Sequence, residues 1–345
     1  MDGNTWAVAS SSADGLRLAV GSGVRGYFYT DGGILYTGTA DKSNGSIKWT
    51  YSVTGQNFMA LAPSSDGLKL AAAMGYFGLY TSTDAGVSWT KTSAPDQTTP
   101  LHFHVDAGDC NIQFHWQALA SSSDGSKLVA ATGYNDRMCG SYGTIYTSAN
   151  RGVTWSPVVS PPWPSGRTEL FTCADFLSIT SSSDGSKIAA VAGTDNQKSP
   201  RGIYTSADSG RTWVKTSALA LDWRDITSSS DGSKLVAVTA SGGIYISTNR
   251  GVAWSLSSAP SPKNWGSIAS SSDGSRLAAS SCGDGIYTSI NGGASWTKTS
   301  APASDCVLTQ SWGSIASSSD GTKLVFVGHG GVYNSADGGV SWTRN

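Results

Sequence analysis

Seven times along the 345-residue chain, an Asp-Gly pair follows an aromatic residue by eight positions. The pairs start at Asp14, Asp66, Asp124, Asp184, Asp231, Asp273 and Asp320, behind Trp6, Phe58, Trp116, Phe176, Trp223, Trp265 and Trp312. Seven units in 345 residues give a period of about 49. A unit of that size cannot bury its apolar face alone, so it must stack on its neighbours. Two more rings keep the same beat. A tyrosine recurs at Tyr36, Tyr80, Tyr146, Tyr204, Tyr245, Tyr287 and Tyr333, and a tryptophan at Trp49, Trp89, Trp155, Trp213, Trp254, Trp296 and Trp342. Rings this large at repeating places are expected to fill the space between units.

One clean unit spans 264–302. It reads as four short strands: "WGSIASS", "RLAASS", "GIYTS" and "SWTKTS", with the tryptophan opening the last. The turns "SDGS" and "INGG" between them supply residues that accept positive φ, a strong hairpin signal. Glu occurs once, at Glu169, and Gly 42 times, so helix-favouring windows are missing. The expectation is an all-β, seven-bladed β-propeller with four-stranded antiparallel blades. Residues 1–345 form one domain, with blades at about 1–54, 55–95, 96–160, 161–218, 219–260, 261–302 and 303–345. Each blade runs from first strand to last, so no strand exchange locks the ring. Blade 1 is then expected to meet blade 7 by side-chain packing alone.

Between third and fourth strands the chain repeats Ser-x-Asp/Asn-x-Gly-x-x-Trp, as in "STDAGVSW" and "SADGGVSW". Six units carry it, and blade 1 has the distorted "TADKSNGSIKW". The pattern resembles the Asp-box, or BNR, repeat of sialidase-like propellers, and the resemblance covers the whole chain. It implies the fold, and it implies that Asp84, Asn150, Asp208, Asn249, Asn291 and Asp337 staple turns rather than react. Members of that superfamily include sialidases, other glycosidases, sorting receptors, assembly factors and lectins, so it does not choose an activity. Typical sialidase chemistry is not expected. The Arg-Ile-Pro segment is absent, and a Tyr–Glu nucleophile pair would rest wholly on Glu169.

Function is expected where the pattern breaks. The spacings through the first-to-second and third-to-fourth strand turns hardly vary. The connections on the opposite, top face do. The interval from last tryptophan to next aromatic runs from nine residues (Trp49 to Phe58) to 27 (Trp89 to Trp116). All four histidines fall in top connections: His102, His104, His115 and His329. So do Glu169, Trp163 and the tyrosines Tyr27, Tyr29, Tyr76, Tyr134 and Tyr142. A concave aromatic surface with a few polar groups suits a sugar or similar ligand, and rigid scaffolds commonly carry function on such loops. The other reading is that long loops need aromatics for a small core of their own.

The chemistry on offer lies with His102, His104, His115, Glu169 and His329. A glycoside hydrolase needs two carboxylates, which Glu169 could form with Asp106, Asp175, Asp195, Asp222 or Asp225. A lyase needs a base and a cation facing the uronate, for which Arg137, Arg167, Arg201 and Arg224 qualify. Whether the protein is an enzyme or a noncatalytic glycan or protein binder stays open. No cofactor is required by this reading; a divalent metal is an option at His102 and His104, which share one face of a strand. The five cysteines, Cys110, Cys139, Cys173, Cys282 and Cys306, all lie in top connections. Cys282–Cys306 would tie blades 6 and 7, which points to a secreted or extracytoplasmic protein with any leader removed. The formal net charge of −1 supplies no footprint for nucleic acid, and no apolar run reaches membrane-spanning length. A monomer with a small-molecule or glycan ligand is expected.

Overall fold

The computed structural model describes residues 6–22, 33–41, 46–54, 57–96, 102–105, 108–111, 115–133, 135–136, 140–141, 143–158, 175–193, 202–302, 313–328 and 330–345. For 53–54, 102–105, 108–111, 135–136, 140–141 and 175 only the backbone is described. Seven four-stranded antiparallel sheets follow one another along the chain, each in simple order A-B-C-D from first strand to last. Blade 6 shows the pattern: Trp265–Ser270, Leu277–Ser281, Gly285–Ser289 and Thr297–Lys298. Strand B is buried along its length in blade 6, as it is in blades 2, 3, 4, 5 and 7. Both of its faces are covered, which is why it reads as a run of Ala, Val, Leu and Ile rather than an alternation. Strand D is exposed and only two residues long in blades 2 to 7. So short an outer edge offers little template for pairing with another chain. The tryptophan expected to open strand D instead precedes it, as Trp296 precedes Thr297–Lys298; in blade 1, Trp49 lies inside Ile47–Thr54.

The aromatics sit between blades. Trp116 of blade 3 is fully buried with Ala71, Ala73 and Leu79 of blade 2. Its ring lies 5.3 Å from Tyr146 and 6.4 Å from Trp155. Trp223 with Tyr245 and Trp254, and Trp265 with Tyr287 and Trp296, repeat the trio. A bulge follows the aromatic in blades 1, 3, 4, 5 and 6 and re-aims the strand toward the axis.

The Asp-Gly turns do more than reverse the chain. In blade 7 the buried Ser318 hydroxyl donates to Asp320 Oδ1 (2.6 Å) and accepts the Lys323 N–H (3.0 Å). Asp320 Oδ1 also accepts the Thr322 N–H. The turn so fixed presents one backbone N–H and one C=O sideways. The Ala13 N–H donates to Ser65 O (2.8 Å). Ser65 donates to Ser123, Ser123 to Ser183, Ser183 to Ser230, Ser230 to Ser272, Ser272 to Ser319, and Ser319 back to Ala13, each at 2.7 Å. Seven blades are thus joined by one closed cycle of seven backbone hydrogen bonds. Gly321 is required here: its φ is +70°, and a Cβ would sit 2.6 Å from Arg276 of the preceding blade. An outer set of bonds repeats the junction, with the hydroxyls of Ser93, Ser217, Ser258 and Ser300 donating to the next blade's Val153, Val252, Ala294 and Val340 carbonyls.

Among the described residues no strand is exchanged between blades 1 and 7. Their meeting by side-chain packing alone is corrected, however. Besides the Ser319–Ala13 bond, Lys323 Nζ donates to Asp14 O (2.7 Å) and the Ala9 N–H to Ser314 Oγ (3.2 Å). The closing seam thus carries the backbone bond of the ring and two side-chain bonds of its own. Ser319 is the second residue of a turn closed by Gly321 N–H to Ser318 O (3.0 Å), a place proline accepts. Ser319→Pro is expected to remove the closing donor and cost about 1–3 kcal/mol in urea unfolding. Ser183→Pro, at an ordinary seam, should cost the same; a much smaller loss at Ser319 would show a weaker closing seam.

Candidate functional site

The seven A strands enclose a channel of about 180 Å³. Two residues after each aromatic, the chain places Val8, Ala60 and Ala118 in blades 1 to 3, but Ser178, Asp225, Ser267 and Ser314 in blades 4 to 7. Each of the last three reaches a backbone N–H of the next blade: Ile268 N–H donates to Asp225 Oδ2 (2.9 Å), Ile315 N–H to Ser267 Oγ (3.3 Å) and Ala9 N–H to Ser314 Oγ (3.2 Å). Asp225 is half-buried in the channel wall. Its Oδ1 accepts Ser178 Oγ–H (2.6 Å) and Ile226 N–H (2.9 Å), and its Oδ2 accepts Ser267 Oγ–H (2.8 Å) as well as Ile268. Burial pushes its carboxyl up, while these four donors hold it down. Both Asp225 oxygens are engaged by blades 4, 5 and 6, while its candidate partner Glu169 lies outside the described residues. Gln117 and Arg224 also line this channel.

The turns between strands C and D share one geometry. In blade 2, Ser82 Oγ donates to Asp84 Oδ1 (2.7 Å) and accepts the Gly86 N–H (2.8 Å). Ser88 N–H donates to Asp84 Oδ1 (2.9 Å), and Trp89 Nε1–H to Gly86 O (3.1 Å). Asn150, Asp208, Asn249, Asn291 and Asp337 likewise accept the N–H four residues on. The Ser88 hydroxyl and N–H hold Asp84 down to about 2, and those of Thr212 do the same for Asp208. In the A–B turns, Ser229 and Ser318 lead in holding Asp231 and Asp320 to about 2. A folded-state value below the ordinary 3.8 means support that is complete above that pH and lost as pH falls toward 2. The melting temperature is expected to stay level from neutral pH to about 4 and to decline below it; a decline beginning near pH 6 would contradict this.

On the top face, the B–C turn of blade 2 docks against the start of blade 3. The Trp116 N–H donates to Gly75 O (3.0 Å) and the Gly133 N–H to His115 O (3.1 Å). This brings Tyr76 and His115 together, with ring centroids 4.5 Å apart and planes tilted by 59°. Two residues on, Gln117 Nε2 donates to Gly133 O (3.2 Å) at the channel wall. The preceding connection forms a ribbon, His102–Val105 paired with Gly108–Asn111. Its register sets His104 opposite Asp109 and His102 opposite Asn111, four positions on one face. Among the described residues, no three His, Cys, Asp or Glu side chains converge as a metal site.

Tyr27, Tyr29, Tyr134, Arg137, Tyr142, Trp163, Arg167, Glu169, Arg201, Cys306 and His329 lie outside the described residues. Cys282 is disulfide-bonded, and its N–H donates to Asn264 O (2.8 Å). Next to it is a cluster that sequence reasoning missed. Asp284 accepts Tyr287 O–H (2.6 Å) and Lys298 Nζ (2.8 Å) and pairs with Lys263. Lys263 first, then Lys298 and Tyr287, hold the Asp284 carboxyl far below the usual range, so it stays ionised and braces the turn. The three partners come from three different segments, which no local spacing announces.

The fold and this geometry define a seven-bladed β-propeller. Among the described residues no helix is long and apolar enough to cross a membrane. No family model and no curated protein matches the chain. Solved structures do resemble it. YCF48 from Cyanidioschyzon merolae superposes with a TM-score of 0.60 at 13% identity, over 97% of this chain and 95% of that one. The Cps50 (Swd1) β-propeller domain of Myceliophteria thermophila gives 0.62 at 13%, over 95% of each chain. A xyloglucanase of family GH74 from Xanthomonas campestris gives 0.47 at 16%, covering 99% of this chain but only 58% of that one. At such identities the likeness is one of fold.

Proposed function

We propose that the protein binds a single carbohydrate, or a similar small polyhydroxylated ligand, on its top face beside blades 2 and 3. One observation carries this reading. The Tyr76–His115 pair stands two residues from a channel-wall amide, Gln117, with Arg224 lining the same channel. Aromatic rings next to a few polar groups are what a sugar's apolar face and hydroxyls require. Should the bound sugar be turned over, by hydrolysis or elimination, His102, His104, Glu169 and His329 are the residues assigned to it. The Asp225 carboxylate takes no part.

The experiment passes the protein over a panel of polysaccharides and oligosaccharides and scores retention and product together. Retention by at least one is expected. Tyr76→Ala with His115→Ala should weaken it about tenfold or more, since two stacking rings supply more than 1.4 kcal/mol. The melting temperature should hardly change. Product lost in Glu169→Gln would make the site catalytic. Retention indifferent to the double variant, or no retention at all, would sink the proposal; in the latter case a peptide ligand on the same face is the next test.

A further inference from the structure

The bottom face, formed by the A–B and C–D turns, carries grooves between blades that the top-face reading leaves unused. Among the described residues three lie at equivalent places: about 230 Å³ between blades 1 and 2, about 30 Å³ between 2 and 3, and about 150 Å³ between 4 and 5. Each is lined by the basic residue that follows the A–B turn of one blade and by the residue after Asp or Asn in the next blade's C–D turn. Those pairs are Arg17 with Ala85, Lys69 with Arg151, and Lys187 with Arg250.

Of the three, the groove between blades 4 and 5 combines two cations with room for a ligand. Its apolar floor is Ile188, Val214 and Leu235, and both Lys187 and Arg250 line it. Neither the Lys187 ammonium nor the Arg250 guanidinium has a hydrogen-bond or ion-pair partner among the described residues. The carboxylates that feel Lys187, Asp184 and Asp231, are occupied by hydroxyl and backbone donors of their own turns. Lys69, by contrast, is spent on Asp124 O (2.7 Å), and the groove beside it is small. Between blades 1 and 2 the arginine is replaced by Ala85, and Asp84 lines the wall, which repels an anion. Arg250 also holds a left-handed φ of +62°, where blades 6 and 7 use Gly292 and Gly338. The turn tolerates such strain, as Ala85 and Ser209 show, so the strain alone selects nothing. What sets this groove apart from the one between blades 2 and 3 is its larger volume and a Lys187 ammonium not spent on a backbone carbonyl.

We infer that the groove between blades 4 and 5 is a binding site for a small organic anion with a ring-sized apolar body, such as an aromatic carboxylate. The carboxylate would lie between Lys187 and Arg250 and the ring over Ile188 and Leu235. A cavity near 150 Å³ is of the size that accepts a benzene ring. The site does not depend on the top-face ligand.

The test is a ligand-observed NMR titration of the full chain with benzoate. A Kd of about 1 mM is expected, and neutral benzamide should bind at least about tenfold more weakly. Arg250→Gly removes a cation and relieves the left-handed strain, so it should fold at least as well as the parent while weakening benzoate about tenfold. Lys187→Gln should weaken it similarly. Arg151→Gly, in the small groove, should leave it unchanged. Absence of saturable binding, equal affinity for benzamide, indifference to Arg250→Gly, or an equal loss in Arg151→Gly would each overturn the assignment. Inorganic sulfate binding as tightly as benzoate would overturn the role of the apolar floor.

Discussion

Replacing Asp225 with alanine is expected to destabilise the protein by about 2–4 kcal/mol, the order for several half-buried donors that lose one charged acceptor. The substitution takes the acceptor from two hydroxyls and two backbone N–H groups, on Ser178, Ile226, Ser267 and Ile268, at the half-buried channel wall. It also severs side-chain links from blade 5 to both neighbours. Urea unfolding at neutral pH measures the loss as a lower midpoint at unchanged slope. Asp225→Asn should cost less, because one oxygen remains and the hydroxyls can rotate to accept from the amide. A carboxylate kept for chemistry would behave in the opposite way, with stability unchanged or raised and activity lost.

Trp223→Ala should cost about 3–5 kcal/mol. The ring is fully buried between blades 4 and 5, packed with Ile203, Ala189 and Val191 of blade 4 and 5.2 Å from Tyr245. Its Nε1–H also donates to Leu219 O (3.0 Å). Trp265 sits equivalently, but its Nε1 has no partner among the described residues. Phenylalanine in its place should therefore cost less than at Trp223, where a carbonyl loses its donor. Urea midpoints of the two Trp→Phe variants check this, and equal losses would show that the Leu219 bond contributes nothing.

The frame was legible because each blade must solve the same local problem. A turn that presents its backbone sideways needs a buried serine, an aspartate and a glycine, as at Ser318, Asp320 and Gly321, so the solution recurs as letters. The cycle of bonds itself was not legible. It runs through the backbone of Ala13, Ser65 and their equivalents, where nearly any side chain serves. The setting of Asp225 was hidden for a related reason. It departs from the repeat, and departures suggest chemistry, but its departure is answered by Ser178 and Ser267 in other blades, about 40 to 50 positions away. Tyr76 and His115 were each singled out by type and place. Their contact depends on how one turn docks on the next blade, which spacing does not encode. Lys187 was hidden inside the repeat, since a basic residue stands at that position in every blade.

The central claim is that repeated turns build the frame while the top face beside blades 2 and 3 binds the ligand. The most direct test is hydrogen–deuterium exchange of the protein with and without an oligosaccharide that it retains. The account predicts slower exchange in residues 75–77 and 115–117, with the A–B and C–D turns of all blades unchanged. Slowing confined to those turns would contradict it, and would place the ligand on the face assigned here to the frame.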